Sequence, residues 1–209
     1  MTVGVKASAP TSRAADSGAT PNRGEAADAA ILDATIEVLG EQGYGGLTVS
    51  AVIERAGVSS ATLYRRWPTK LDLVMAAVEA ISPEKASSDT GSLEGDIRAY
   101  IAHIATSVSH RREHVMEALS AGSATHPELD KAIRAKFITP RLVELRGILA
   151  RAKERGELSS VPSAETASSF VSGPAYHRAY VLRLPLTPRF LQTATAFALD
   201  GLGAHPTPR

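Results

Sequence analysis

Residues 43–70, GYGGLTVSAVIERAGVSSATLYRRWPTK, decide how this chain is read. They spell two short helices joined by a tight turn, followed at once by an aromatic and basic cluster. Thr48 stands at an N-cap position, and Val49, Val52, Ile53 and Ala56 recur at helical spacing, which gives the first helix an apolar face. Gly57 closes that helix, because the residue just past a helix often takes a positive φ, which costs glycine little. Ser59 is placed to cap the second helix, and Leu63 to turn back against the first. A helix of about two turns buries too little surface to stand alone, so the pair requires a larger apolar base. Ser60, Ala61, Thr62, Tyr64, Arg65 and Arg66 are left facing outward. Short side chains allow close approach to base edges, and hydroxyls and cations reach phosphates, so this surface suits a DNA groove.

The stretch resembles the helix-turn-helix of the TetR family of bacterial transcriptional repressors. Three features carry the likeness: the T-x-x-x-[IV] opening at Thr48 and Val52, the AGVS turn from Ala56 to Ser59, and the TLYRRWPTK run from Thr62 to Lys70. They lie in register with a matching helix upstream. Ile53 departs from the pattern, since the family usually has alanine there, close to where the two helices cross. In this frame Thr48, Ser50, Ser59, Ser60, Ala61, Thr62, Tyr64, Arg65, Arg66 and Lys70 are the expected DNA-binding residues. Ser60, Ala61 and Thr62, with Arg65 or Arg66, would read bases, while Tyr64 and Lys70 would meet phosphates. Lys70 sits in the first turn of a helix, where a cation opposes the helix dipole. A phosphate at that N-terminus would attract both helix and lysine. Trp67 is expected to pack between helices.

At 209 residues with 44% hydrophobic and 22% charged side chains, the chain has the makeup of a globular protein of one or two domains. The absence of cysteine excludes disulfides and thiolate metal sites. No apolar run approaches a membrane span, and the first 24 residues lack the apolar stretch of a signal peptide. A cytoplasmic location, no membrane partner and no cofactor are therefore expected. The net charge of +1 argues for nothing by itself. Residues 23–80 hold five cations against eight acids, yet Arg65, Arg66 and Lys70 fall within six residues, so any DNA attraction is focused there.

Residues 1–23 read as a disordered N-terminal arm, rich in Ala, Ser, Thr, Pro and Gly, with Lys6 and Arg13 as its cations before Arg23. From Gly24 to Gln42 a helix places Ala27, Ile31, Ala34 and Val38 on one face, with Leu39 alongside, as the base for the helix-turn-helix. Thr69 and Asp72 make a capping box for a fourth helix carrying Leu71, Val74, Met75 and Val78. The expected architecture is all-α, with a helix-turn-helix DNA-binding domain at 24–81, a linker at 82–91, a regulatory and dimerisation domain at 92–203 and a tail at 204–209.

Beyond the linker, Ile97, Ile101, Ile104 and Val108 mark one helix, and Val115, Met116 and Leu119 begin a shorter one. Thr125 and Glu128 suggest a second capping box, opening a helix to Arg155 that Pro140 should kink or split. A helix is expected from Ala164 to about Leu184, and a last one begins at Thr187 and Pro188. This half resembles the ligand-binding and dimerisation domain of one TetR subgroup, through RGEL at Arg155–Leu158, GPAYHR at Gly173–Arg178 and PLTPRF at Pro185–Phe190. The resemblance implies a homodimer on double-stranded operator DNA that is released by a small-molecule effector. The last two helices would form the seam between subunits. Ala167, Ser168, Gly173, Ala175, Tyr180, Phe190 and Phe197 are the candidates for that seam, and His103, Met116, Phe137 and Tyr176 for the effector pocket. His103 fits a core histidine with a backbone partner better than a polar ligand anchor, and the other pocket candidates also suit ordinary core or the seam.

His110, Glu113 and His114 spell H-x-x-E-H, the order found in inverted zinc peptidases. No third protein ligand is identifiable, and Arg111 and Arg112 would add positive charge beside a metal. Two rivals to a regulator therefore remain from sequence: a helical protein-interaction adaptor without DNA binding, and a small metalloenzyme using His110 and His114.

Overall fold

A computed structural model of the chain describes residues 23–82, 89–108 and 113–204. The basic arm with Lys6 and Arg13, most of the linker, and the tail beyond 204 lie outside the described residues, as do His110 and the Glu113 side chain. Eleven helices are described: α1 (Arg23–Gly46), α2 (Val49–Ala56), α3 (Ser60–Tyr64), α4 (Lys70–Ala80), α5 (Leu93–Ser107), α6 (Glu113–Ser123), α7 (Pro127–Ile133), α8 (Thr139–Glu154), α9 (Ala164–Val171), α10 (Gly173–Tyr176) and α11 (Pro188–Leu202). The described residues form no strand beyond one isolated bridge pair, Leu158 with Ala204. None of the described helices is long and apolar enough to cross a membrane.

Local chemistry sets most helix starts. Thr48, Ser59, Thr69, Ser92, Ser163 and Thr187 each accept a backbone N–H with the side-chain oxygen, at α2, α3, α4, α5, α9 and α11. Such caps stabilise a helix by about 1 kcal/mol each. At α4 the box is reciprocal, since Asp72 Oδ2 accepts from Thr69 N at 3.2 Å. α1 is broken at Gly43, whose φ is 70°.

Two cores organise the chain. The first joins Ile31, Val38 and Leu39 of α1 to Val52, Leu63, Leu73 and Val74, and it also takes in Val115, Leu119 and Leu129 from α6 and α7. The second lies among α5, α8, α9 and α11 and contains Ile97, Tyr100, Ile101, Leu145, Ile148, Leu149 and Val171. Full burial of each such side chain is worth about 1.5–3 kcal/mol.

The RGEL segment fastens the second core at one end. Glu157, only 2% exposed, accepts from Leu93 N, the first residue of α5, at 2.7 Å and from Arg155 Nη2 at 3.0 Å. Asp96, also buried, accepts from Thr90 N at 2.6 Å and lies 3.5 Å from Arg155 Nη2. The start of α5 and the turn after α8 are thereby locked together by charge-assisted hydrogen bonds.

Two expectations change, and a third is met in a form the pattern did not specify. The T-H-P-E box does not form: Thr125 Oγ1 donates to Gly122 O, and His126 takes the N-cap position of α7 ahead of Pro127. Pro140 does split its helix, and the break is a π turn over Arg134–Ile138, in which Thr139 N reaches back to Arg134 O. The widened turn gives room for the proline ring one residue later. The helix expected from 164 to 184 is instead three pieces, α9, α10 and a π turn over His177–Val181. Pro174 at the start of α10 lacks the N–H that would continue α9.

Removing one partner from a buried ion pair leaves the other uncompensated. Glu157→Ala should therefore lose about 3–5 kcal/mol of stability in urea unfolding. The same substitution at exposed Glu154 is expected to leave the midpoint in place.

Candidate nucleic-acid interface and ligand cavity

The turn between α2 and α3 is fixed by short-range contacts. Gly57 has φ 65° and its N–H reaches Glu54 O, while Val58 N reaches Ile53 O. Ser59 Oγ accepts from Thr62 N at 3.3 Å and lies 2.9 Å from Thr62 Oγ1. Leu63 is fully buried beneath α3. The second helix is shorter than expected: five residues, ending at Tyr64, so that Arg65 and Arg66 belong to the turn that follows.

Thr48, Ser50, Ser59, Ser60, Ala61, Tyr64, Arg65 and Arg66 are exposed, and Thr62 and Lys70 are half-buried. The two arginines differ. Arg65 has no ion-pair partner among the described residues. Arg66 Nε lies 2.7 Å from Asp28 Oδ1, an ion pair outside hydrogen-bond geometry that ties the turn to α1. Arg55 is likewise taken up by α1, through Glu41 Oε1 at 2.8 Å and Glu37 Oε2 at 3.6 Å.

Lys70 has an internal reason to be where it is. Its Nζ stands 4.6 Å from the centre of the Tyr44 ring, a cation–π contact. Burial pushes the lysine pKa down, with Glu128 opposing, and burial pushes the Tyr44 hydroxyl up. His126 meets the same ring edge-on at 4.9 Å. Nothing in the local pattern announces this cluster, because Tyr44, Lys70 and His126 are far apart in sequence.

In the C-terminal half, a cavity of about 740 Å³ opens between α6, α7 and α10, lined by Met116, Leu119, Ile133, Ile138, Tyr176 and Tyr180 among others. Phe137 lines a smaller hollow beside it, together with Val78 and Ile81 at the end of α4. Of the expected pocket residues, Met116, Tyr176 and Phe137 converge here. His103 is half-buried on α5 and lines neither space.

The expected seam residues separate. Ala167 and Ala175 are each 1% exposed and belong to the protomer's own core, so their small size serves packing within the chain. Tyr180 lines the cavity, Ser168 and Gly173 are half-buried, and Phe190 lies under the Arg178 guanidinium at 4.5 Å. Phe197 on α11 is 72% exposed, and so, on neighbouring α9, is Phe170 at 63%, a residue the small-residue pattern passed over. His114 is exposed and lies 4.0 Å from Glu117. No group of three metal-ligating side chains occurs among the described residues.

Residues 31–77 match the family model "Bacterial regulatory proteins, tetR family", and residues 87–198 match "Tetracyclin repressor-like, C-terminal domain". The chain is 27% identical to the HTH-type transcriptional regulator YdeS of Bacillus subtilis over 183 residues, covering 87% of this chain and 92% of that one. It is 32% identical to the HTH-type transcriptional regulator Rv1556 of Mycobacterium tuberculosis over 158 residues, covering 75% and 78%. Among solved structures it is similar to the TetR family transcription regulator SCO0332, with a TM-score of 0.58 at 26% identity, covering 85% of this chain and 98% of that one.

A free cation at a DNA backbone releases counterions, whereas one already neutralised does not. Arg65, grouped by sequence with the base readers, ends α3 without an ion-pair partner among the described residues and is expected instead to meet a phosphate. Arg65→Ala should weaken binding to any duplex and flatten the plot of log affinity against log salt by about 0.9. Arg66→Ala, at a residue engaged by Asp28, should leave that slope where it was.

Proposed function

This chain belongs to the TetR family of bacterial transcriptional regulators, and from that premise we propose that it is a repressor that binds a pseudo-palindromic operator as a homodimer and leaves it when a small molecule occupies the C-terminal cavity. Residues 24–81 would be the DNA-binding unit, 82–91 the linker and 92–203 the regulatory unit.

The observation that carries the reading is α3 itself. It offers Ser60, Ala61 and Tyr64 to a groove, with Arg65 at its end, from a single turn of helix pinned by Ser59 and Leu63. So small a surface makes few base contacts, and useful specificity needs two copies spaced by whole turns of the duplex. Exposed Phe170 and Phe197, on two helices that pack together, support a seam through α9 and α11.

Release follows from linkage: an effector that favours the arrangement in which the two α3 helices miss the groove weakens operator binding by its difference in affinity for the two states. Val78 and Ile81 place the end of α4 in the wall of the smaller hollow, while Lys70 and the Thr69 cap stand at its other end, beside the DNA-facing turn.

Selection from random duplexes with the purified protein tests the reading. A two-fold symmetric motif is expected, and a pool without enrichment would contradict it. Phe197→Glu should give a folded monomer by sedimentation with operator affinity reduced about tenfold or more. Ala175→Glu, by contrast, should lose the fold before it loses the dimer, because it buries an unpaired charge in the protomer core.

A further inference from the structure

The smaller hollow, about 50 Å³, shares Met116, Leu119, Ile133, Ile138 and Tyr176 with the larger cavity. Its wall is apolar apart from Ser82, whose hydroxyl donates to Val78 O at 2.8 Å, and one corner. There Arg141 Nη1 donates to the Tyr176 hydroxyl at 2.7 Å, and Nη2 donates to Ser107 Oγ at 2.9 Å. Ser107 Oγ in turn donates to His103 O at 3.0 Å. The Tyr176 hydroxyl, which accepts from the guanidinium, keeps its proton to donate elsewhere.

Arg141 differs from its neighbours in having no carboxylate at ion-pairing distance among the described residues. Arg134 pairs with Asp130, Arg155 with Glu157, and Arg183 with Glu117. Those pairs also neutralise Asp130 and Glu117, the acids of the larger cavity's lining. The inner end of the space is therefore positive and the rest close to neutral. A half-buried guanidinium that meets only hydroxyls is poorly compensated for lost hydration, and a planar carboxylate matches its geometry better than two neutral oxygens do.

We infer that the effector is an organic acid whose apolar body fills the cavity among Met116, Ile133 and Ile138 and whose carboxylate meets Arg141 and the Tyr176 hydroxyl. The inference rests on the cavity being the effector site. A carboxylate in that corner sits against Val78 and Ile81 of α4 and so reaches the helix that leads to the DNA-facing turn.

Three acid–amide pairs of matched shape test it by calorimetry on the full-length protein: benzoate and benzamide, 2-naphthoate and 2-naphthamide, octanoate and octanamide. At least one acid should bind about tenfold more tightly than its amide, the size expected for a charge-assisted hydrogen-bonded pair. Arg141→Gln should erase that preference while amide binding persists, and Arg141→Lys should restore part of it. If Arg141→Gln does not fold, Tyr176→Phe should reduce the preference without abolishing it. An acid series that never outbinds its amides, or a preference that survives Arg141→Gln, overturns the inference. Release of the selected operator duplex is followed in the same samples. Amides that bind as well as acids and release DNA would keep the effector site and remove the acid. A protein that retards no duplex would instead fail the regulator reading.

Discussion

Val115, Leu119 and Leu129 belong by sequence to the C-terminal half and by packing to the core beneath the helix-turn-helix. That shared core is the constraint on which the rest depends. A five-residue α3 has no stability of its own, since the nucleus of a helix is costly and its rewards come only with length or packing. Its position is inherited from α2, which packs on it, and through Leu63 from the core it shares with α1 and α4, and theirs in part from α6 and α7. The contact closes without slack at Gly122, where a Cβ would lie 2.7 Å from Tyr44 Cβ and 3.0 Å from Leu129 Cδ2. Only glycine permits that approach. The same ring also takes the Lys70 ammonium, at the start of α4, 4.6 Å from its centre. The helix-turn-helix unit is thus fitted against helices that line the cavity, through this shared core and the Tyr44 ring.

Most of the helix-turn-helix was legible in the sequence because its chemistry is local. The caps at Thr48, Ser59 and Thr69 and the turn at Gly57 are contacts over three or four residues, so residue type and spacing suffice to place them. Pro140 was readable as an interruption, though not as a π turn, while the stretch from 164 to 184 was read as one helix, since the form of the repair depends on what the neighbouring helices allow. The seam was less legible for a physical reason. Small residues at 167 and 175 signal close approach but do not say whether the approaching helix belongs to the same chain, and here it does. The Tyr44, Lys70 and His126 cluster and the Arg141 corner join residues distant in sequence, and no periodicity marks them.

The proposed repression and release would require one protein to hold two arrangements close in free energy. The described architecture has a place for the difference to act. α4 spans from the DNA-facing turn, where Thr69 caps it, to the smaller hollow, where Val78 and Ile81 form part of the wall. Both ends are tied to other elements: Lys70 to the Tyr44 ring, and Lys136 of the π turn to Glu79 at 2.6 Å. In the proposed mechanism a ligand that shifts the inner end would shift a rigid capped helix, and two such helices in the proposed dimer would set the spacing of two α3 surfaces.

The central claim is that the fit between α6 and α1 sets where α3 stands. Operator affinity of Gly122→Ala tests it most directly, with the unfolding curve and sedimentation of the same sample in hand. The added methyl cannot be accommodated by a flexible side-chain end and must move α6 relative to Tyr44. The account predicts a cooperatively folded dimer whose affinity for the selected operator falls about tenfold or more, although residue 122 is remote from the groove. An operator affinity equal to that of the wild type, with the fold and dimer intact, would contradict it.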